Sequence, residues 1–369
     1  ELNSYAEMLF VACAGLLIAV GTALARPLSL VISLMAMMVA LVTGAAYAFS
    51  QLNLLIDVTF PILAITSNYL SCIAFKLLVT DREGRLLRSV FSHYVAPAVL
   101  TEIENNPKAL KLGGETRDVT VMFVDIQNFT PMGERLKPEE LVRIVNSLLS
   151  VCSAGILSQG GTIDKFIGDA VMAFWNAPML QADHQYLACR TALEIQTRIA
   201  KFNQDAANKT TLEPHGLWPV SVRIGLASGP AVVGNMGSLE RFDYSVLGET
   251  VNLASRAEGL GKHVGYNIVV AGPLHKKTHD LALLSAGALR LRGKSQLTNI
   301  HIVCGNESLK ASQAFNAAMQ GYQKIITGLK NATKPNQNEL VKQVTAQMPA
   351  LTEFFSRLTT RAEDYRNAQ

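Results

Sequence analysis

The chain has 369 residues, of which 49% are hydrophobic and 17% are charged, and its formal net charge is +4 at pH 7. No run of Lys or Arg accompanies this small positive charge, so the composition argues against nucleic acid as a partner. The five cysteines are scattered and form no CxxC pair, which argues against a disulfide framework or a zinc site.

Apolar residues are concentrated before Thr80. Three segments, Met8–Ala25, Leu28–Phe49 and Leu52–Val79, each supply the roughly 20 mostly apolar residues that a membrane-spanning helix needs. Three buried core helices are the alternative, which the lack of a polar face disfavours. We therefore predict three transmembrane helices within residues 1–80.

Basic residues indicate how these segments are oriented, because they prefer the cytoplasmic side of a membrane. Arg26 follows the first segment, and Arg82, Arg85 and Arg88 follow the third. This pattern predicts an integral inner (plasma) membrane protein whose later part is cytoplasmic and whose N-terminus is outside. It also leads us to expect an earlier crossing and a sensor segment before Glu1.

Two further regions show helical periodicity. Residues 81–114 carry apolar side chains at helical spacing and predict a juxtamembrane helical connector, either a plain linker or a dimeric helix that transmits a signal. Residues 306–369 predict a helical C-terminal extension with two apolar faces separated by Pro335, packed on the rest of the chain or on a partner. No catalytic residue is visible there.

Residues 115–305 predict a globular α+β domain. An apolar strand at Val119–Val124 precedes a helix at Glu139–Val151, and a hairpin with Gly168 and Asp169 at its tip follows. A helix at Gln185–Asn203 and a strand at Val220–Leu226 complete the order β-α-β-β-α-β, which is ferredoxin-like.

Two carboxylates end neighbouring strands of this predicted sheet. Asp125 follows the first strand and Asp169 lies at the hairpin tip, so both can project to one edge. Two carboxylates that face one point repel unless cations lie between them, and hard oxygen ligands suit magnesium. Each Asp taken alone is more typical of an ordinary turn than of a metal site.

Three longer motifs carry a resemblance. The segments VMFVDIQNFT (Val121–Thr130), DKFIGDAVM (Asp164–Met172) and DYSVLGETVNLASR (Asp243–Arg256) resemble the catalytic domain of class III adenylyl and guanylyl cyclases, in the same order. The resemblance extends from Thr116 to Val303. It is closest to membrane-anchored bacterial-type adenylyl cyclases.

The resemblance implies roles for individual residues. Asp125 and Asp169 correspond to the metal-binding aspartates, which hold two ions, Mg²⁺ or Mn²⁺, per site. The backbone from Ile126 through Phe129 to Thr130 corresponds to the triphosphate loop, helped by the start of the following helix. Asn252 and Arg256 correspond to the pair that positions the ribose and stabilises the transition state. Lys294 corresponds to the lysine that contacts the terminal phosphates, and Arg292 is the alternative residue for that role.

Two positions correspond to the family's base-selecting pair, Lys165 and Ser245. A lysine can donate a hydrogen bond to adenine N1, whereas guanine presents an N1–H donor and favours a carboxylate. The pair therefore indicates ATP as the substrate. The hydroxyl of Ser245 resembles a subgroup of which some members respond to bicarbonate, and such an input is left open here.

The expected function is an adenylyl cyclase, a phosphorus–oxygen lyase that converts ATP to 3′,5′-cyclic AMP and pyrophosphate by two-metal-ion catalysis. Both halves of the family's site occur in one chain, which predicts a homodimer with two equivalent composite sites. The alternatives are a guanylyl cyclase, which Lys165 disfavours, and an inactive cyclase-like sensor module, which the retained Asp and Asn–Arg pairs disfavour. A diguanylate cyclase is a further alternative, but its hairpin signature is missing.

Overall fold

The computed structural model describes residues 27–52, 58–75, 113–238, 240, 242–291, 296–330 and 337–360. The chain divides into two compact units, residues 1–94 and 95–369. In the first unit the described residues form helix α1 (Pro27–Leu52) and helix α2 (Thr59–Phe75). The predicted segment Met8–Ala25 and nearly all of the predicted connector 81–114 lie outside the described residues.

Helices α1 and α2 correct the predicted membrane segments. Leu52 ends α1 instead of beginning the third segment, and α2 begins at Thr59 and has 17 residues. Pro61 explains this start, because proline lacks a backbone N–H and is tolerated in the first turn of a helix. Leu52–Val79 is therefore wrong as a single helix.

The second unit contains an eight-stranded sheet with helices on both faces. The strands are β1 (Gly113–Ile126), β2 (Thr162–Ile167), β3 (Ala170–Trp175), β4 (Val222–Gly237), β5 (Phe242–Leu247), β6 (Ile268–Ala271), β7 (Ala282–Arg290) and β8 (Leu297–Gly305). The helices are α3 (Phe129–Arg135), α4 (Pro138–Ser158), α5 (His184–Phe202), α6 (Ala206–Leu212), α7 (Glu249–Val264), α8 (Glu307–Ala311), α9 (Gln313–Lys330), α10 (Gln337–Gln347) and α11 (Thr352–Thr360).

The strand order is β2-β3-β1-β4-β6-β8-β7, and β5 pairs with β4 outside this path. Strand β1 is antiparallel to both β3 and β4, and the connections through α3–α4 and α5 give the predicted β-α-β-β-α-β order. The predicted α+β class and ferredoxin-like arrangement are confirmed. Strands β1 and β4 are longer than predicted because they pair with each other from Gly113 opposite Asn235 to Ile126 opposite Val222.

Side chains of β1 alternate between two cores, as the period of a strand requires. Val119 and Val121 face a core that includes α7 and the helices α9–α11. Met122 and Val124 face a second core that includes α4 and α5. The helices after Gly305 contribute Phe354 and other large side chains to the first core.

Helix α4 is also relevant to the membrane prediction. Among the residues whose side chains the structure describes, α4 is the one helix that is long and apolar enough to cross a membrane. The apolar segment Met38–Gln51 of α1 is shorter. Yet α4 begins with Glu139 and Glu140 and buries Ile144 and Leu148 in the core. Three transmembrane helices are therefore not supported by the described residues.

Gly225 on β4 allows α7 to approach the sheet closely. A Cβ atom at this position would lie 2.0 Å from the backbone nitrogen of Glu258 and 2.4 Å from the carbonyl oxygen of Ala254. Both atoms belong to the backbone of α7, so the helix itself would have to move.

We expect Gly225→Ala to destabilise the protein by about 1–3 kcal/mol, the usual cost of overpacking. Gly259→Ala, on the exposed side of α7 with nothing within 4 Å of the added Cβ, is the matched control and should stabilise the helix slightly. Urea unfolding of both variants measures the difference. Equal free energies of unfolding for Gly225→Ala and wild type would contradict the proposed close contact.

Candidate active site

Asp125 lies at the end of β1, directly opposite Arg223 on β4. The Arg223 guanidinium donates from Nη2 to Asp125 Oδ2 over 2.8 Å and from Nε to Glu258 Oε1 over 2.7 Å. All three side chains are partly buried. Residues 125 and 223 lie on the face of the sheet that packs against α7, which explains why Glu258 of that helix reaches them.

Asp169 lies in the turn between β2 and β3. Strand β1 pairs Val124 with Val171, which brings this turn beside Asp125. Burial raises the pKa of the Asp169 carboxyl, its backbone hydrogen bond opposes this, and the negative charge of Asp125 raises the pKa further. Burial also raises the pKa of Glu258, partly opposed by the hydrogen bond from Arg223. The structure thus brings the two predicted aspartates together in a carboxylate-rich cluster.

The loop after β1 differs from the prediction in one respect. Ile126 ends β1 and is buried, and Asn128 has φ 61°, in the left-handed region. The short helix α3 follows, with Phe129 and Thr130 in its first turn, so the predicted long helix is not the one next to this loop. Asn128 makes no side-chain cap to α3. The side chain of Asn128 therefore accepts no hydrogen bond from the first backbone amides of α3.

Lys165 and Ser245 contact each other although 80 residues separate them. Lys165 Nζ lies 3.4 Å from Ser245 Oγ, and Ser245 Oγ donates to Asp164 Oδ2 over 2.7 Å. Lys165 Nζ also forms an ion pair of 3.2 Å with Asp164 Oδ1. The Asp164 side chain is fully buried, whereas that of Lys165 is about half exposed. The buried carboxylate therefore positions both predicted base-selecting residues.

Asn252 and Arg256 lie one turn apart on α7. Arg256 Nη1 makes no hydrogen bond within the described residues and lies 3.9 Å from Glu249 Oε1. At 100° per residue, Arg256 and Glu258 are 200° apart around the helix. Since Glu258 faces Arg223 and Asp125, Arg256 points away from the aspartates of its own chain.

Lys294 and its rival Arg292 lie outside the described residues. The other predicted residues fall into three groups: the aspartates with the loop after β1, the Lys165–Ser245 pair, and the Asn252–Arg256 pair. Within the described part of the chain, the first and third groups do not meet.

Sequence reasoning missed Arg223, Glu258 and Asp164. A signal existed for Arg223, because a charged residue interrupts the apolar strand from Val222 to Leu226. In the structure this residue lies on the same face of the sheet as Asp125. No comparable signal identified Glu258, whose role depends on the packing of α7 against β4.

Comparison with known proteins agrees with this geometry. Residues 114–304 match the model of the adenylate and guanylate cyclase catalytic domain. This segment is more than half of the chain, and the chain belongs to that family. The predicted family is confirmed.

Two curated relatives and one solved structure illustrate the similarity. Adenylate cyclase 1 of Rhizobium meliloti (strain 1021) is 36% identical over 190 residues, 51% of this chain and 28% of that protein. The adenylate cyclase of Anabaena cylindrica is 32% identical over 228 residues, 60% of this chain and 43% of that protein. A bacterial light-regulated adenylyl cyclase has 26% identity and a TM-score of 0.50, covering 62% of this chain and 63% of that one. The matched region spans less than half the length of either curated relative.

The raised pKa of Asp169 predicts how its charge affects stability. The folded state binds this proton more tightly than the unfolded state, so stability falls as pH rises from the usual carboxyl range through the raised pKa. In the presence of EDTA at neutral pH, Asp169→Asn should therefore melt at a higher temperature than wild type.

Asp125→Asn is the matched control, because it removes a carboxylate that has a 2.8 Å partner in Arg223. It should melt at a lower temperature than wild type under the same conditions. Differential scanning calorimetry at several pH values measures both variants. A lower melting temperature for Asp169→Asn in EDTA would show that this carboxylate is not held against its preference.

Proposed function

We propose that this protein is an adenylyl cyclase that converts ATP to 3′,5′-cyclic AMP and pyrophosphate at a homodimer interface. The observation that carries the proposal is the contact between Lys165 and Ser245, held by Asp164, in a cyclase-family domain that also pairs Asp125 with Asp169. In this reaction the ribose 3′-oxygen forms a bond to the α-phosphorus, and the bond from that phosphorus to the pyrophosphate oxygen breaks. The 3′-hydroxyl loses its proton.

Asp125 and Asp169 are the proposed ligands of two Mg²⁺ or Mn²⁺ ions. Two adjacent carboxylates, one of them with a raised pKa, are a donor set that gains from hard divalent cations. When bound, such ions would activate the attacking oxygen and neutralise charge on the leaving group. Arg223 occupies the same region and holds Asp125 in place through its ion pair.

The phosphates are proposed to lie against the loop from Ile126 to Thr130 and against Arg223. The first amides of α3 are not capped by Asn128, and backbone N–H groups at a helix start favour anions. A guanidinium offers donors in a geometry that suits phosphate oxygens. Lys294 remains a proposed contact of the terminal phosphates.

The arrangement of α7 supports a dimer. Arg256 lies on the side of the helix away from Glu258 and the aspartate cluster of its own chain, so it cannot serve that cluster. A second copy, turned by a two-fold axis, can present its Asn252 and Arg256 there. The unsatisfied Arg256 Nη1 is suited to complement charge on the phosphoryl oxygens in the transition state.

Exposed apolar side chains near the site are a second support for the dimer. Phe166 and Ile167 of β2 are each about half exposed, as is Leu247 at the end of β5. They flank Asp169 and Ser245 in the sequence. Apolar side chains gathered around a polar site are typical of an interaction surface.

Membrane anchoring is proposed for residues 1–80. Helix α1 has 26 residues without Asp, Glu, Lys or Arg, and at 1.5 Å per residue it is about 39 Å long. Met35, Val39 and Phe49 of α1, together with Phe60 and Leu63 of α2, are large apolar side chains that are more than half exposed. The proposal extends to a cytoplasmic cyclase domain at 115–305, a connector at 81–114, a helical extension at 306–369, and control by a sensor.

Base choice tests the proposed activity. Wild type should form cyclic AMP from ATP in preference to cyclic GMP from GTP. Lys165→Glu combined with Ser245→Cys should shift kcat/KM toward GTP, because Glu accepts from guanine N1–H and repels the adenine N1 lone pair. A mismatch of about 1–3 kcal/mol corresponds to roughly one to two decades in discrimination.

The measurement is kcat/KM for both nucleotides with Mg²⁺ or Mn²⁺. Lys209→Glu, at an exposed lysine on α6, is the control for charge reversal alone and should leave the ratio unchanged. An unchanged ATP/GTP ratio in a folded, active double variant would remove the main support for cyclic AMP as the product.

Mixing two inactive variants tests the composite site. Asp125→Ala and Arg256→Ala should each abolish turnover, and their mixture should regain about a quarter of wild-type activity. Half of randomly mixed dimers are heterodimers, and each retains one of its two sites.

The control mixture combines Asp125→Ala with Asp169→Ala. Both changes fall in the same half of the site, so neither composite site in the heterodimer is complete and activity should stay absent. If the first mixture remains inactive while affinity-tag exchange shows that heterodimers form, the site is not shared between chains.

A further inference from the structure

A second cluster of ionisable side chains lies away from the candidate active site. Asp118 of β1, His184 at the start of α5 and His275 after β6 each direct one ligand atom to a common region, and these atoms lie within 4.8 Å of one another. His184 is buried, His275 is partly buried and Asp118 is exposed. Three elements that are distant in the sequence therefore converge here.

This cluster is separated from the aspartate pair by the geometry of β1. Asp118 and Asp125 are seven positions apart on the strand, roughly 23 Å at about 3.3 Å per residue. An odd separation also places the two side chains on opposite faces of the sheet. Asp118 shares the parity of Thr120, which faces α5, whereas Asp125 faces α7. The two sites cannot share an ion.

Hydrogen bonds fix the orientation of the buried histidine. His184 Nδ1 lies 2.7 Å from Thr120 Oγ1, and Thr120 Oγ1 lies 2.7 Å from Ser228 Oγ. Gln185 Nε2 donates to the same Ser228 hydroxyl and to the Pro273 carbonyl, while Gln185 Oε1 accepts from the His275 amide. A hydrogen bond at one ring nitrogen of a histidine orients the other nitrogen for a metal.

The ring nitrogen that remains, His184 Nε2, faces Asp118 Oδ2 at 3.8 Å. This distance is too long for a hydrogen bond. Within the described residues, no hydrogen bond joins the three groups to one another. Four-coordinate zinc with bonds of about 2.1 Å would hold its ligand atoms about 3.4 Å apart, so the 3.8 Å between His184 Nε2 and Asp118 Oδ2 would have to shorten by about 0.4 Å.

We propose that Asp118, His184 and His275 form a binding site for a divalent transition-metal ion of the Zn²⁺ type. Two imidazole nitrogens and one carboxylate oxygen are the ligands that zinc accepts, with a fourth position left for water. The site differs in chemistry from the Asp125–Asp169 pair, whose all-oxygen donors suit Mg²⁺ and Mn²⁺. A bound ion ties β1, the start of α5 and the segment after β6 together, independently of the proposed cyclase activity.

Burial is the main reason why the pKa of His184 is lowered, and repulsion from His275 adds to it. Among the charged groups around it, Asp118 and Asp183 act in the opposite direction.

The test is isothermal titration of the full chain in detergent with Zn²⁺, in excess Mg²⁺ so that the all-oxygen site is saturated. Wild type should bind one Zn²⁺ per chain. Asp118→Asn and His275→Gln should each weaken the dissociation constant by roughly 10- to 100-fold or more, because each removes a direct ligand. Both residues are more accessible than His184, so these variants avoid disturbing the buried hydrogen-bond chain.

The controls are Asp183→Asn and His215→Gln. Asp183 is the neighbouring carboxylate paired with Lys277, and His215 is an exposed histidine elsewhere on the domain. Both should bind Zn²⁺ as wild type does, and Zn²⁺ should raise the melting temperature of the controls but not of the ligand variants. Wild-type affinity in Asp118→Asn and His275→Gln, shown to be folded by circular dichroism, would overturn the site, as would a wild type that binds no Zn²⁺ in excess Mg²⁺.

Discussion

Strand β1 lies between β3 and β4, and its side chains alternate between two separate cores. A register shift of one residue would exchange the side chains that face the two cores, so this strand can pair in only one way. That constraint places Asp125 opposite Arg223 and beside the turn that carries Asp169. The same alternation sends Asp118 and Thr120 to the other face, toward α5. One buried strand therefore positions both of these polar clusters.

The carboxylates around Arg223 outnumber their cation. Asp125, Asp169 and Glu258 face one guanidinium, so the fully ionised cluster has a surplus of two negative charges. Burial is the main cause of the raised pKa values of Asp169 and Glu258, and the negative charge of Asp125 raises both further. A cluster of this kind stores unfavourable electrostatic energy that bound cations would relieve, and strain at one place is sustained by well-packed cores elsewhere. Binding and stability are thus coupled at this edge of the sheet.

The sequence was sufficient for the features that depend on local pattern. The strand ending at Asp125, the hairpin tip at Asp169 and the β-α-β-β-α-β order follow from apolar, β-branched runs and turn residues. The extent of β4, the short helix α3 and the role of Glu258 depend on contacts between distant segments, which periodicity does not encode. The prediction of one helix at Leu52–Val79 was wrong for a related reason. Hydropathy measures composition, and the residues on both sides of the break before Thr59 are apolar. The Asp118–His184–His275 cluster had no motif at all, because its members come from three separate elements.

Helix α7 connects these observations to the proposed mechanism. Gly225 lets the helix lie directly on β4, which places Glu258 against Arg223 and leaves Arg256 on the other side of the helix. At the far end of α7, Gly265 lies against Glu353 of α11, so the helices after Gly305 hold the same element in place. Helix α7 is therefore packed against both β4 and α11. In the proposed composite site, a second copy would bring Asn252 and Arg256 of its own α7 to the Asp125–Asp169 pair. In the proposed dimer, control would act most directly on the placement of one chain against the other, which the proposed membrane-anchored segment would be suited to change.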